Sequence, residues 1–198
     1  MKDITERKLA DERLRNLAFY DALTKLPNRR LLNDRLSQCI ATGKRSGRYG
    51  ALMFIDLDNF KPLNDTHSHA AGDLLLIEAA KRLKSCVREI DTIARFGSDE
   101  FIVLLSKLTE NSTESITQAD ILSKKIRASL SRPYFLKLQL DEDKQPVTIE
   151  HHCTASIGVA VFSGVDTTAE EALKWADMAM YQAKENGRNL IVFHKPNN

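Results

Sequence analysis

The sequence predicts an α+β (mixed α/β) domain in which helices pack around a mixed central sheet. Short apolar runs of strand length, led by Ala51 to Leu57, are bounded by glycine on one side and acids on the other. Longer stretches, such as Asp73 to Val87 and Thr168 to Asn186, repeat their apolar residues at helical spacing. The two kinds follow each other as strand, helix, hairpin, helix, strands, helix, strand, an order that suits helices laid on a mixed sheet.

The elements can be justified in turn. Residues 1 to about 19 alternate charges with Ile4, Leu9, Ala10, Leu14 and Leu17, which predicts a connector helix with a narrow apolar stripe. Pro27 breaks the chain, and Asn28 can cap a helix whose buried face is Leu31, Leu32, Leu36 and Ile40, ending at Gly47 and Gly50. Ala51 to Leu57 is too short and too uniformly apolar for an exposed helix and reads as a central strand, with Asp56 where it ends. A helix over Asp73 to Val87 starts at the Gly72-Asp73 pair and buries Leu75, Ile77, Ala80, Leu83 and Val87. Thr92 to Arg95 and Phe101 to Leu105 flank Gly97-Ser98 as a hairpin. Thr113 to Leu130 reads as helix, Tyr134 to Leu140 as strand, Asp141 to Pro146 as an exposed turn, and Val147 to Phe162 as strand again. The Thr168 to Asn186 helix ends at Gly187, and Leu190 to Phe193 forms a last strand.

Composition narrows the function. The chain has 198 residues, 42% apolar and 28% charged, which is ordinary material for one globular domain. Its 29 basic and 27 acidic residues leave a formal charge of +2, so no global field argues for nucleic acid or a membrane surface. No apolar run approaches the ~20 residues needed to cross a bilayer, and the expectation is a cytoplasmic domain with no direct membrane insertion. Cys39, Cys86 and Cys153 are far apart and sit in apolar contexts, which suits reduced core thiols. The basic run Lys44 to Arg48 reads as a solvated loop. His67 with His69, and the pair His151 and His152, lack a third ligand at metal-binding spacing. Trp175, Met178 and Met180 read as packing.

The chemistry concentrates in two segments, Phe54-Ile55-Asp56-Leu57-Asp58-Asn59-Phe60-Lys61 and Arg95-Phe96-Gly97-Ser98-Asp99-Glu100-Phe101. Both put acids at strand ends, where an unpaired carboxylate costs several kcal/mol or neutralises itself. A divalent cation carrying nucleotide phosphates accounts for them. Mg2+ usually takes one or two protein carboxylates, and Asp56 with Asp99 meets that count. Lys61, Lys184 and Arg188 are candidate phosphate ligands, the last two one helical turn apart if the helix persists. Asn64 and Asp73 are typed for a guanine edge, because a carboxylate accepts from N1–H and the exocyclic amine. They could equally be turn and cap residues.

Several further segments stand in order with these two: Asp21 to Arg29, Asn64 to Asp73, Thr154 to Gly158, and Ala176 to Asn189. Together they make residues 19 to 194 resemble the GGDEF domains, diguanylate cyclases that condense two GTP into cyclic di-GMP. The resemblance implies a nucleotidyl-cyclase and polymerase palm-like sheet, with Asp56, Asp99 and the Leu57 carbonyl as ligands of Mg2+, Mn2+ being the alternative. Asp99 and Glu100 would be the catalytic acids. Lys61, Lys184 and Arg188 would meet the triphosphate, and Asn64 and Asp73 the guanine. It also implies catalysis across a homodimer, each subunit holding one GTP. Arg88 and Asp91 match the family's inhibitory product site for cyclic di-GMP. The opening segment resembles the junction by which a PAS sensor domain feeds such cyclases, so the expected organisation is a linker helix over 1–19 and a GGDEF domain over 20–198. A downstream EAL phosphodiesterase domain is a further implied partner. Two departures stand out. Ser98 replaces the second glycine of the signature, and Ser68 replaces the usual glycine between Asn64 and Asp73. A positive φ at Ser98 would cost roughly 1–2 kcal/mol. The alternative reading is therefore a weak or inactive domain that binds GTP or cyclic di-GMP and regulates an attached domain.

Overall fold

The computed structural model describes residues 17–139, 145–165 and 167–195. The connector expected over 1–19 therefore lies almost wholly outside the described residues, as do Leu140 and most of the turn expected over 141–146. Along the chain run α1 (Arg29–Ser46), β1 (Gly50–Asp58), α2 (Phe60–His67), α3 (His69–Cys86), β2 (Thr92–Arg95), β3 (Glu100–Leu105), α4 (Ser112–Leu130), β4 (Tyr134–Leu138), β5 (Val147–His151), β6 (Thr154–Phe162), α5 (Ala169–Glu185) and β7 (Ile191–Phe193).

The main sheet has the order β2-β3-β1-β6-β7. All pairs are antiparallel except β6 with β7, so the sheet is mixed. Its middle strand β1 is buried along its whole length, which explains an apolar run without polar alternation. Met53, Ile55 and Leu57 point into a core shared with α3 and α4, while Leu52 and Phe54 point to the other face, into a core shared with α1 and α5. By the same alternation Asp56 and Asp58 belong to the α5 side. β4 and β5 pair separately as a two-stranded sheet. The strand expected over 147–162 is thus two strands, split at His152 and Cys153.

Local chemistry sets the helix ends. The Asn28 side chain accepts from the amides of Arg30 and Leu31, and Gly47 closes α1 in the left-handed region at φ 70°. Thr168 and Glu171 form a reciprocal capping box at the start of α5. This helix lies close on β6 because its inner face is Ala172, Ala176, Ala179 and Ala183, and because Gly158 presents no side chain beneath Ala176 and Met180. A Cβ at position 158 would strike the α5 backbone. Close packing here lets Lys184, at the far end of α5, reach the end of β1.

Candidate active site at the end of the central strand

β1 delivers two acids to one end of the sheet in different settings. Asp58 is 2% exposed and fully matched. It accepts from Thr154 Oγ1 at 2.7 Å, Ser156 Oγ at 2.7 Å and the Asn189 amide at 3.0 Å. Asp56, 5% exposed, meets Lys184 Nζ at 2.6 Å. Burial pushes the Asp56 carboxyl above its ordinary value, Lys184 opposes this, and the charges of Asp99 and Asp58 reinforce it.

The hairpin between β2 and β3 brings the other acids alongside. Glu100 pairs with Asp56 across the sheet, and the Leu57 amide donates to the Asp99 carbonyl at 3.2 Å. The Glu100 carboxyl is raised by burial and then by the charges of Asp56, Asp99 and Asp177, with Lys184 partly offsetting them. Its side chain lies against Gly97, where a Cβ would collide with it.

At the turn the condition for strain at Ser98 is not met. Ser98 is exposed and is not among the positive-φ residues. It donates from Oγ to Asp99 Oδ1 at 2.6 Å. The strained serine is Ser68, at φ 103° and ψ 161°, a region that essentially only glycine occupies.

Arg95 is a positioning residue that motif reasoning passed over. Its guanidinium meets Asp21 Oδ1 at 3.2 Å and donates to the Ser98 carbonyl at 2.7 Å, tying the segment before α1 to the turn that carries Asp99. Asp21 also accepts from the Thr24 amide and hydroxyl, each at 2.7 Å. Its carboxyl is lowered: the burial penalty is outweighed by the Thr24 bonds and Arg95. Both residues stand in segments singled out from the sequence, but nothing local joins partners 74 residues apart.

The remaining candidates divide. Lys61 sits in the first turn of α2, a helix the sequence reading omitted, and is exposed. Asn64 is on the same helix, and its Oδ1 is a buried acceptor with no hydrogen-bond partner, set against Gly72. Asp73 is not at a helix start, since α3 begins four residues earlier at His69; it is exposed in the second turn. Lys184 and Arg188 do not share a helix face, because α5 stops at Glu185 and Arg188 follows in the left-handed region at φ 61°. Arg88 and Asp91 lie at the other end of β2. They form a main-chain turn, not a surface ion pair: Asp91 Oδ2 accepts from the Arg88 amide at 3.1 Å, and the Asp91 amide donates to the Arg88 carbonyl at 3.1 Å. Burial raises the Asp91 carboxyl. Both residues line a cleft of about 440 Å³ over Val87, Leu105, Leu108 and Ile121.

The donor set at the β1 end suits a hard divalent cation, because clustered carboxylates there are offset by a single lysine. Among the described residues no group of three or more His, Cys, Asp or Glu side chains is placed to hold a metal. A site of two carboxylates and the Leu57 carbonyl does not need one. Cys86 and Cys153 are buried, the Cys153 thiol being pushed up to about 12 by burial, whereas Cys39 is only half-buried. No helix among the described residues is long and apolar enough to cross a membrane.

A mixed sheet whose central strand ends in clustered acids, with a helix-borne lysine laid across them, defines the class of domain. Over residues 18–190 the chain matches the family described as diguanylate cyclase, GGDEF domain, and it belongs to that family. It is 44% identical over 184 residues to the bifunctional diguanylate cyclase/cyclic di-GMP phosphodiesterase MucR of Pseudomonas aeruginosa, a match covering 93% of this chain and 24% of that protein. It is 35% identical over 198 residues to the cyclic di-GMP phosphodiesterase PdeR of Escherichia coli, covering 98% of this chain and 27% of that protein. The solved GGDEF domain of TpbB (YfiN) from Pseudomonas aeruginosa superposes with a TM-score of 0.76 at 36% identity, covering 89% of this chain and 94% of that one. The chain thus spans about a quarter of the length of the curated relatives MucR and PdeR. The expected fold class is borne out.

Proposed function

We propose that this domain condenses two GTP molecules into cyclic di-GMP with release of two pyrophosphates, working as a homodimer on the cytoplasmic side of the cell. The observation that carries the reading is the gathering of Asp56, Asp99 and Glu100 at one sheet end, with Lys184 on Asp56. Asp56, Asp99 and the Leu57 carbonyl are the groups that would hold Mg2+ or Mn2+. When bound, the ion supplies Lewis-acid polarisation of the α-phosphate and eases formation of the attacking alkoxide.

The chain's own residues do the rest. Lys184, Lys61 and Arg188 meet the triphosphate charge, with Lys184 moving from Asp56 to phosphate oxygen as substrate enters. Asn64, by turning its unmatched Oδ1 out from Gly72, accepts from a guanine N–H, and Asp73 accepts from the same edge, which an adenine cannot satisfy. Glu100, beside Asp99 and across the sheet from Asp56, would take a proton near the reacting phosphate. Arg88 and Asp91 form the site where cyclic di-GMP inhibits. An upstream PAS sensor controls pairing through a linker over residues 1–19, and an EAL domain is a candidate downstream neighbour.

One observation favours a second reading, a domain that binds GTP or cyclic di-GMP without turnover. The Ser98 hydroxyl donates to Asp99 Oδ1 and so competes for one of the acceptor positions that would be open to a metal. Enforced dimers incubated with GTP and Mg2+ decide the matter. Pyrophosphate release supports the cyclase, GTP binding without release supports the second reading, and absence of both removes the two together. Ser98→Gly raises the rate under the first reading if that hydroxyl is a brake.

A further inference from the structure

The turn that presents Arg188 is restrained from two sides. Arg188 and Asn189 follow each other in the left-handed region, at φ 61° and 49°. Asparagine enters that region readily, but an arginine such as Arg188 holds it at a cost that its surroundings must offset. One restraint is Asp58, which accepts from the Asn189 amide at 3.0 Å. The other comes from a different helix on the opposite face of the sheet. Arg127, in the last turn of α4, donates from Nη1 to the Asn189 carbonyl at 2.9 Å, across 62 residues of chain. Both main-chain polar groups of Asn189 are thereby fixed, and the residue before it has little freedom left.

We propose that Arg127 is a positioning residue for phosphate recognition. It does not touch substrate. It locks the Arg188–Asn189 turn so that the Arg188 guanidinium is directed at the triphosphate beside Lys184, and this rests on the reading of Arg188 as a phosphate ligand. Without the clamp the turn relaxes toward ordinary backbone angles, and each binding event must order it again. The loss therefore falls on triphosphate affinity and KM, with kcat nearly unchanged.

Calorimetry of GTP and GMP binding in Mg2+ tests this with the wild type, Arg127→Ala, Arg127→Lys, Arg188→Ala and the Arg127→Ala/Arg188→Ala double variant. Arg127→Ala is expected to weaken GTP about fivefold, the size of one net hydrogen bond. GMP, which lacks the β- and γ-phosphates, keeps its affinity, Arg127→Lys recovers part of the loss, and the double variant binds GTP no more weakly than Arg188→Ala alone. Multiplicative losses in the double variant, or an equal loss for GMP, would overturn the proposal. If Arg188→Ala itself leaves GTP binding unchanged, the phosphate role of Arg188 fails, and the positioning role fails with it. Should Arg127→Ala melt below the assay temperature, Arg127→Lys against Arg188→Ala carries the same comparison.

Discussion

Asp56 and Asp58 stand two residues apart on the same strand and the same face, and both are almost wholly buried, yet their neighbourhoods differ in kind. Around Asp58 both carboxylate oxygens face donors: a threonine, a serine and a main-chain amide. Around Asp56 one lysine faces a carboxylate that Asp99 and Asp58 both repel. The first is a structural knot joining β1, β6 and the turn after α5. The second is a concentration of like charge suited to a cation. Burial alone does not mark a functional acid; burial with too few donors does.

The widest separation between the two neighbourhoods comes from activity. Asp56→Asn should cut turnover on the order of a thousandfold, the scale of losing metal-assisted charge stabilisation, while the melting temperature stays level or rises. A stability loss equal to that of an Asp58 variant would erase the distinction. Asp58→Ala strands three donors and should cost about 2–4 kcal/mol in urea unfolding. Ser68→Gly removes a backbone strain of about 1–3 kcal/mol and gives back ~0.5–1 kcal/mol of chain entropy, so unfolding should become harder by about 1 kcal/mol. No gain there would mean that the α2–α3 junction relaxes around the serine.

The smallest effect is in pH. Asp56 and Glu100 have raised carboxyl pKa values in the fold, so the folded state holds protons that the unfolded chain releases. Their stabilising contribution is complete below the ordinary carboxylate pKa and is lost as pH rises through the raised values. Asp21 works in the opposite sense: its contribution is present above the ordinary value and lost as pH falls through the lowered one. Glu100→Gln should flatten the first trend and raise the melting temperature slightly at neutral pH. An unchanged pH profile in metal-free buffer would show that Glu100 is better solvated than its neighbours imply.

Much of this was legible in the chain. Asp56, Asp99 and Glu100 announced themselves because acids beside strand-length apolar runs are anomalous, and Asn28 and Gly47 were placed by local cap chemistry. What was missed depends on distant partners. Nothing near Asp58 signals Thr154 or Ser156, and nothing near Arg95 signals Asp21. Helix α2 escaped because it is one short segment carrying Pro62, with no side-chain cap at Asn59. Which of Ser98 and Ser68 carries backbone strain was not legible, because both serines occupy glycine positions of the resemblance and only backbone angles tell them apart.

The ammonium group of Lys184 gives Asp56 a counter-ion that is tethered to the same molecule and therefore never dilutes. A free divalent ion has to evict this resident rival, whereas an ion arriving on a nucleotide brings fresh anionic oxygens to which the lysine can transfer. Under the proposed chemistry, metal titrated alone should bind feebly and metal titrated with nucleotide tightly, making the order of mixing visible in the binding isotherm.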